Sequence, residues 1–101
     1  MGPLSNGNTN TGGALFFIFG ATGDLAKRKL FPAIFSLYRE GKLDDNFAVI
    51  GLARRPKTNE QFRQDVHESI MEFARHKKFT DAEWAEFAKH FTYMSLDINN
   101  L

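Results

Sequence analysis

Apolar and polar positions change rhythm several times along the chain. Residues 1–13 hold Gly, Asn, Thr and Ser with almost nothing apolar, so burial cannot offset their ordering entropy and a flexible arm is expected. Ala14-Leu15-Phe16-Phe17-Ile18-Phe19 follows as an unbroken apolar run that stops at Gly20. Its aromatic and β-branched content predicts a strand buried on both faces, as in a parallel sheet. From Asp24 to Arg39 the apolar residues Leu25, Leu30, Ile34, Leu37 and Tyr38 recur at helical spacing. Pro32 falls inside that stretch. It removes a donor and meets the carbonyl of Arg28, so the helix is expected to kink or restart there. Gly41 is placed as a left-handed cap at the helix end.

A second strand is predicted at Phe47-Ala48-Val49-Ile50-Gly51-Leu52, stopping at Ala53-Arg54-Arg55-Pro56. Thr58 and Gln61 form a capping box, behind which Phe62, Val66, Ile70 and Phe73 carry a helix to about His76. Thr80 and Glu83 repeat the capping signal ahead of a shorter helix with Trp84, Phe87 and Ala88. Phe91 to Leu96 alternates loosely and predicts a third strand.

The order β-α-β-α-α-β belongs to the α/β class with an open parallel sheet and right-handed crossovers. A full dinucleotide-binding fold has two such halves. Residues 14–101 therefore predict a partial Rossmann-like, doubly wound sheet, first half only, with the substrate domain absent. In the usual strand order the first strand lies centrally, so here its far edge is expected to be bare. A naked Phe-rich edge invites pairing with another chain, and association or poor solubility is expected.

Composition narrows the function classes. At 101 residues the chain has room for one domain. Thirteen Lys and Arg against twelve Asp and Glu leave a net charge of +1, too small a field to draw in nucleic acid or an acidic membrane. The absence of cysteine excludes disulfides, zinc–thiolate sites and thiol catalysis. No apolar run approaches the roughly 20 residues of a membrane span, and no signal-peptide pattern is visible. Met1-Gly2-Pro3-Leu4-Ser5-Asn6 departs from an N-myristoylation signal at Asn6, where Ser or Thr is required. A cytoplasmic protein is expected.

Chemistry concentrates in Gly20-Ala21-Thr22-Gly23-Asp24-Leu25-Ala26-Lys27, between the first strand and the first helix. Glycine tolerates positive φ, and without a side chain it lets backbone N–H groups reach phosphate oxygens. A helix starting at Asp24 aims its positive dipole end at the same anion. Ala26 is small enough for close helix–strand packing, and Thr22 has a hydroxyl to donate. The spacing Gly-x-x-Gly-x-x-Ala departs from the regular Gly-x-Gly-x-x-Gly fingerprint. Glycines at strand-to-helix turns also serve purely structural ends.

The end of the second strand adds weight. An NAD site usually carries Asp or Glu there, roughly 20 residues past the loop, bonded to the ribose 2′-hydroxyl. This chain has Arg54 and Arg55 instead. Guanidinium groups pair bidentately with phosphate, which points to the 2′-phosphate of NADP.

Ile18-Phe19-Gly20-Ala21-Thr22-Gly23-Asp24-Leu25-Ala26-Lys27-Arg28-Lys29-Leu30-Phe31-Pro32 resembles the amino-terminal signature of the glucose-6-phosphate dehydrogenase family, bacterial type. The likeness continues through Leu37-Tyr38, Gly41, Ile50-Gly51-Leu52-Ala53-Arg54 and Leu96-Asp97-Ile98. It implies that Gly20 to Lys27 form the coenzyme loop, that Arg54 holds the 2′-phosphate and that Arg55 flanks the adenine. It further implies that Asp97 and Ile98 lie near the adenosine and that Lys29 points toward the sugar phosphate. The parent implied is an NADP-dependent, homo-oligomeric oxidoreductase of the pentose phosphate pathway, taking glucose 6-phosphate to 6-phosphogluconolactone.

One departure bears on activity. The family's substrate motif Arg-Ile-Asp-His-Tyr-Leu-Gly-Lys, with its general-base histidine, occurs nowhere in the chain. His67, His76 and His90 lie away from the loop, lack metal-ligand spacing and have no partner carboxylates on a shared face. No catalytic or metal-binding residue is assigned, and the chain alone is expected to be inactive. An atypical short-chain reductase shares the Gly-Ala-Thr-Gly loop but needs Tyr-x-x-x-Lys, and neither Tyr38 nor Tyr93 has Lys four residues on. A free-standing nucleotide-binding or assembly module is the non-enzymatic alternative.

Overall fold

The computed structural model describes residues 14–75 and 78–96. Its elements are β1 (Leu15–Phe19), a π-helical turn (Ala26–Leu30), α1 (Phe31–Arg39), β2 (Ala48–Ala53), α2 (Asn59–Phe73), α3 (Asp81–Ala88) and β3 (Phe91–Ser95). The strands are all parallel in the order β1-β2-β3, with Phe17 opposite Ile50 and Gly51 opposite Tyr93. This is the α/β order and the partial Rossmann-like sheet that the sequence predicts.

Both crossovers step the same way across the sheet. Right-handed connections of that kind place all their helices on one face. On that face Ile18, Val49, Phe91 and Tyr93 join Phe31, Phe35, Phe62 and Phe87 in a single core. The opposite face of β1 is bare: Leu15, Phe17 and Phe19 are 55%, 55% and 73% exposed. The expectation of a strand buried on both faces is therefore corrected. The apolar run is right for a two-sided strand, but covering the second face takes helices wound in the other direction, and the described residues include none.

The core is largely aromatic. Phe31 meets Phe62 edge-on at 5.6 Å, and Phe87 lies 4.9 Å from Phe91 and 5.0 Å from Phe35. Such pairs add about 0.5–1.5 kcal/mol each beyond the area they bury. Gly51 makes room for them. A Cβ at this position would come within 2.5 Å of the Phe62 ring and 3.0 Å of the Ala21 methyl.

Pro32 acts as expected, through a widened turn. Phe31 N–H bonds back to the carbonyl of Ala26, a π-type step, just before the proline. The carbonyl of Lys27 thereby loses Phe31 as its α-helical partner, and Pro32 has no N–H to replace it. The Ser69 hydroxyl of α2 donates to it instead, and Ser69 is buried.

Gly41 has φ +71°. Its N–H bonds Tyr38 O at 3.1 Å and Lys42 N–H bonds Leu37 O at 2.9 Å, a Schellman cap. Both capping boxes form, through Thr58 with Gln61 and Thr80 with Glu83. The bond from Thr80 N–H, with help from the Arg39 guanidinium at 3.0 Å, holds the Glu83 carboxyl below its usual range. Helix α2 stops at Phe73, short of the expected His76, because Ala74 turns extended and is buried in the core. His76 lies outside the described residues. Among the described residues, no helix is long and apolar enough to cross a membrane.

Candidate functional site

At the C-terminal end of β1 the chain turns sharply. Gly20 takes φ +69°, a conformation other residues adopt at a cost. The N–H groups of Gly20 and Ala21 both bond the carbonyl of Leu52, at 2.8 and 3.1 Å, tying the loop to the end of β2. Gly23 N–H closes the turn on Gly20 O at 2.9 Å. A Cβ on Gly23 would press on that oxygen at 3.2 Å. Lys27 N–H then bonds Gly23 O at 3.2 Å. The N–H groups just before Lys27 belong to a helix start, where no i−4 carbonyl precedes them. Helix starts of this kind suit an anion.

Beside this loop lies a cleft of about 430 Å³. Phe19, Gly20 and Thr22 form one wall, and Leu52, Ala53, Arg54 and Arg55 form the other, with Leu96 at the end of β3. Parallel α/β sheets bind ligands at this end of their strands. The described lining has two guanidinium groups and no carboxylate.

The residues singled out by sequence separate into groups. Gly20, Thr22, Arg54 and Arg55 line the cleft together. Ala21 and Ala26 are buried, so their methyl groups pack the loop and helix on the sheet and only their backbone is available to a ligand. Gly23 and Asp24 are exposed at the turn, where the Asp24 carboxylate repels an anion and its N–H attracts one. Leu25, Lys27 and Lys29 are exposed and do not line the cleft. Asp97 and Ile98 lie outside the described residues.

The two described histidines serve packing. His67 meets Trp84 edge-on at 4.8 Å. His90 stacks on Phe47 at 4.0 Å, with Nδ1 2.6 Å from the Phe47 carbonyl. It precedes β3, at the end of the sheet opposite the cleft. Among the described residues no three His, Cys, Asp or Glu gather as metal ligands.

Two residues of the site carry no sequence signal. The Tyr93 hydroxyl donates to Arg55 O, and the Ser95 hydroxyl donates to Arg54 O at 3.2 Å. Burial pushes the Tyr93 hydroxyl above its usual pKa, against the pull of Lys57 and Arg55, so it keeps the proton it donates. The parallel register of β2 and β3 is the only feature that brings them here, and it is invisible until the strands are paired.

A glycine turn, a helix start and a positive cleft at the C-terminal ends of a parallel sheet define a Rossmann-like nucleotide-binding unit. The family model described as "Glucose-6-phosphate dehydrogenase, NAD binding domain" matches residues 17–101, and the chain belongs to that family. It is 52% identical over 83 residues to glucose-6-phosphate 1-dehydrogenase of Streptococcus pneumoniae, covering 82% of this chain and 16% of that protein. It is 47% identical over 87 residues to the Bacillus subtilis enzyme of the same name, covering 86% and 17%. A solved glucose-6-phosphate dehydrogenase in complex with glucose 6-phosphate superposes with a TM-score of 0.72 at 36% identity, over 88% of this chain and 19% of that one. The Mycobacterium avium enzyme gives 0.71 at 33% identity, over 84% and 18%. The chain thus spans about a sixth of the curated relatives and corresponds to their N-terminal portion.

Proposed function

We propose that the chain is the NADP-binding portion of a glucose-6-phosphate 1-dehydrogenase, the enzyme that oxidises glucose 6-phosphate to 6-phosphogluconolactone. The observation that carries this reading is the joining of the Gly20–Gly23 turn and the Arg54–Arg55 pair in one cleft free of carboxylates among its described lining. The helix start and the Thr22 hydroxyl suit the pyrophosphate. Arg54 suits the 2′-phosphate, which NAD lacks, and Arg55 suits the adenine face. Gly20, Thr22, Arg54 and Arg55 would bind and orient NADP, whose chemistry there would be hydride acceptance. Lys29, Asp97 and Ile98 complete the proposed site, the first toward the sugar phosphate and the others toward the adenosine. No described histidine lines the cleft, so a general base comes from outside these residues and the chain alone does not turn over substrate.

The test is calorimetric titration with NADP and with NAD, beside Arg54→Ala. One charge-assisted phosphate contact is worth about 1.5–3 kcal/mol. The variant is therefore expected to bind NADP roughly tenfold to a hundredfold more weakly while NAD binding stays put. Equal losses for both coenzymes, or no loss, would remove Arg54 from the 2′-phosphate.

A further inference from the structure

Three consecutive carbonyls at the end of β2 are each held by β3 or by the residue that follows it. Leu96 N–H bonds Ala53 O at 2.8 Å, Ser95 Oγ donates to Arg54 O at 3.2 Å, and Tyr93 Oη donates to Arg55 O. A strand ladder supplies partners for alternate carbonyls only. The backbone N–H of Leu96 is the ladder's own contribution, and the two hydroxyls hold the carbonyls that follow. Beyond them Pro56 fixes its own φ, and Lys57 pairs with Asp65 of α2. An exposed strand end that only had to turn would satisfy these carbonyls with water. This one is fixed at successive residues, and the two held by side-chain hydroxyls carry the guanidinium groups of the cleft.

Tyr93 is itself held on several sides. It is 8% exposed, its ring packs 5.3 Å from Phe62, and its own N–H donates to Asn59 Oδ1 at 2.8 Å. Its hydroxyl therefore reports the position of α2 and the sheet to Arg55. Arginine has high rotamer entropy, and a ligand phosphate must immobilise whatever the backbone leaves free. Fixing the Arg54 carbonyl beforehand fixes where that side chain starts, at the place read above as the 2′-phosphate site, and fixing the Arg55 carbonyl does the same toward the adenine.

We propose that Ser95 is a positioning residue that sets, through Arg54, the preference for a 2′-phosphorylated adenosine over an unphosphorylated one, while Tyr93 holds the neighbouring Arg55 for the adenine that both coenzymes share. The proposal rests on the coenzyme reading above. It says that the hydroxyls act through Arg54 and Arg55 and touch no ligand.

The test uses the chain with Tyr93→Phe, Ser95→Ala and both changes, titrated with NADP and with NAD, alone and in the Arg54→Ala background. Thermal midpoints are recorded for each. Tyr93→Phe keeps the ring on Phe62, and Ser95 is exposed, so the second variant remains informative if the first unfolds. Ser95→Ala is expected to weaken NADP about fivefold or more with NAD within about twofold, and to cost nothing further once Arg54 is gone, whereas Tyr93→Phe is expected to weaken both coenzymes alike. Parallel losses for both coenzymes in Ser95→Ala would make that hydroxyl merely structural and overturn the proposal. So would unchanged NADP affinity in Ser95→Ala beside an Arg54→Ala variant whose loss is confined to NADP. If Arg54→Ala costs both coenzymes alike, or neither, the coenzyme reading falls and takes the proposal with it.

Discussion

The carbonyl of Lys27 sits where a π turn, a proline and a buried serine meet. Phe31 N–H has gone to Ala26 O, Pro32 offers no N–H, and Ser69 Oγ is the donor that remains. Removing a partner from a buried polar group costs about 1–3 kcal/mol. Ser69→Ala is therefore expected to lower unfolding free energy by about that much in a urea titration with unchanged slope. A loss below about 0.5 kcal/mol would mean that water reaches the carbonyl. Half of this arrangement is legible in sequence. Pro32 announces a disturbed helix by its chemistry alone, whereas Ser69 reads as an ordinary polar position of α2, with its partner 42 residues away. Tyr93 and Ser95 were hidden for the same reason: a hydroxyl declares its partner only after the strands are in register. Gly20, Thr22, Arg54 and Arg55 stood out because their residue types carry the chemistry without reference to a distant partner.

Elements with local causes were the most legible. The capping boxes at Thr58 and Thr80 and the left-handed Gly41 need only three or four neighbouring residues, and each forms as the spacing predicts. Strand positions followed from apolar runs, with ends within a residue of those found. Burial of the strand faces did not follow. The run from Ala14 to Phe19 signals two covered faces, yet what covers a face is decided by crossover direction and by elements distant in sequence. The end of α2 was missed on similar grounds, since Ala74 leaves the helix to fill a space that only the folded core defines.

The two edges of the sheet differ across the whole molecule. On β3, Asn59 accepts from Tyr93 N–H and Arg63 Nε donates to Phe91 O at 2.9 Å, so α2 occupies that edge. No side chain among the described residues does the same for β1, whose Leu15, Phe17 and Phe19 also face outward. An apolar face next to an open edge favours pairing with another chain. Sedimentation at rising concentration is expected to show association, and it should be suppressed by Phe17→Lys, a charge on the bare face. A monodisperse wild-type monomer at high concentration would contradict this. The cleft lies at one end of the same sheet, and the proposed coenzyme site requires two segments about thirty residues apart, the Gly20–Gly23 turn and the Arg54–Arg55 pair, to act on one ligand. Hydrogen exchange of the chain with and without NADP tests that dependence directly. Slower exchange confined to residues 20–26 and 52–57, with 60–72 unchanged, is the result expected of a coenzyme held between loop and arginines. Protection in only one of the two segments, or centred on α3, would contradict a shared site.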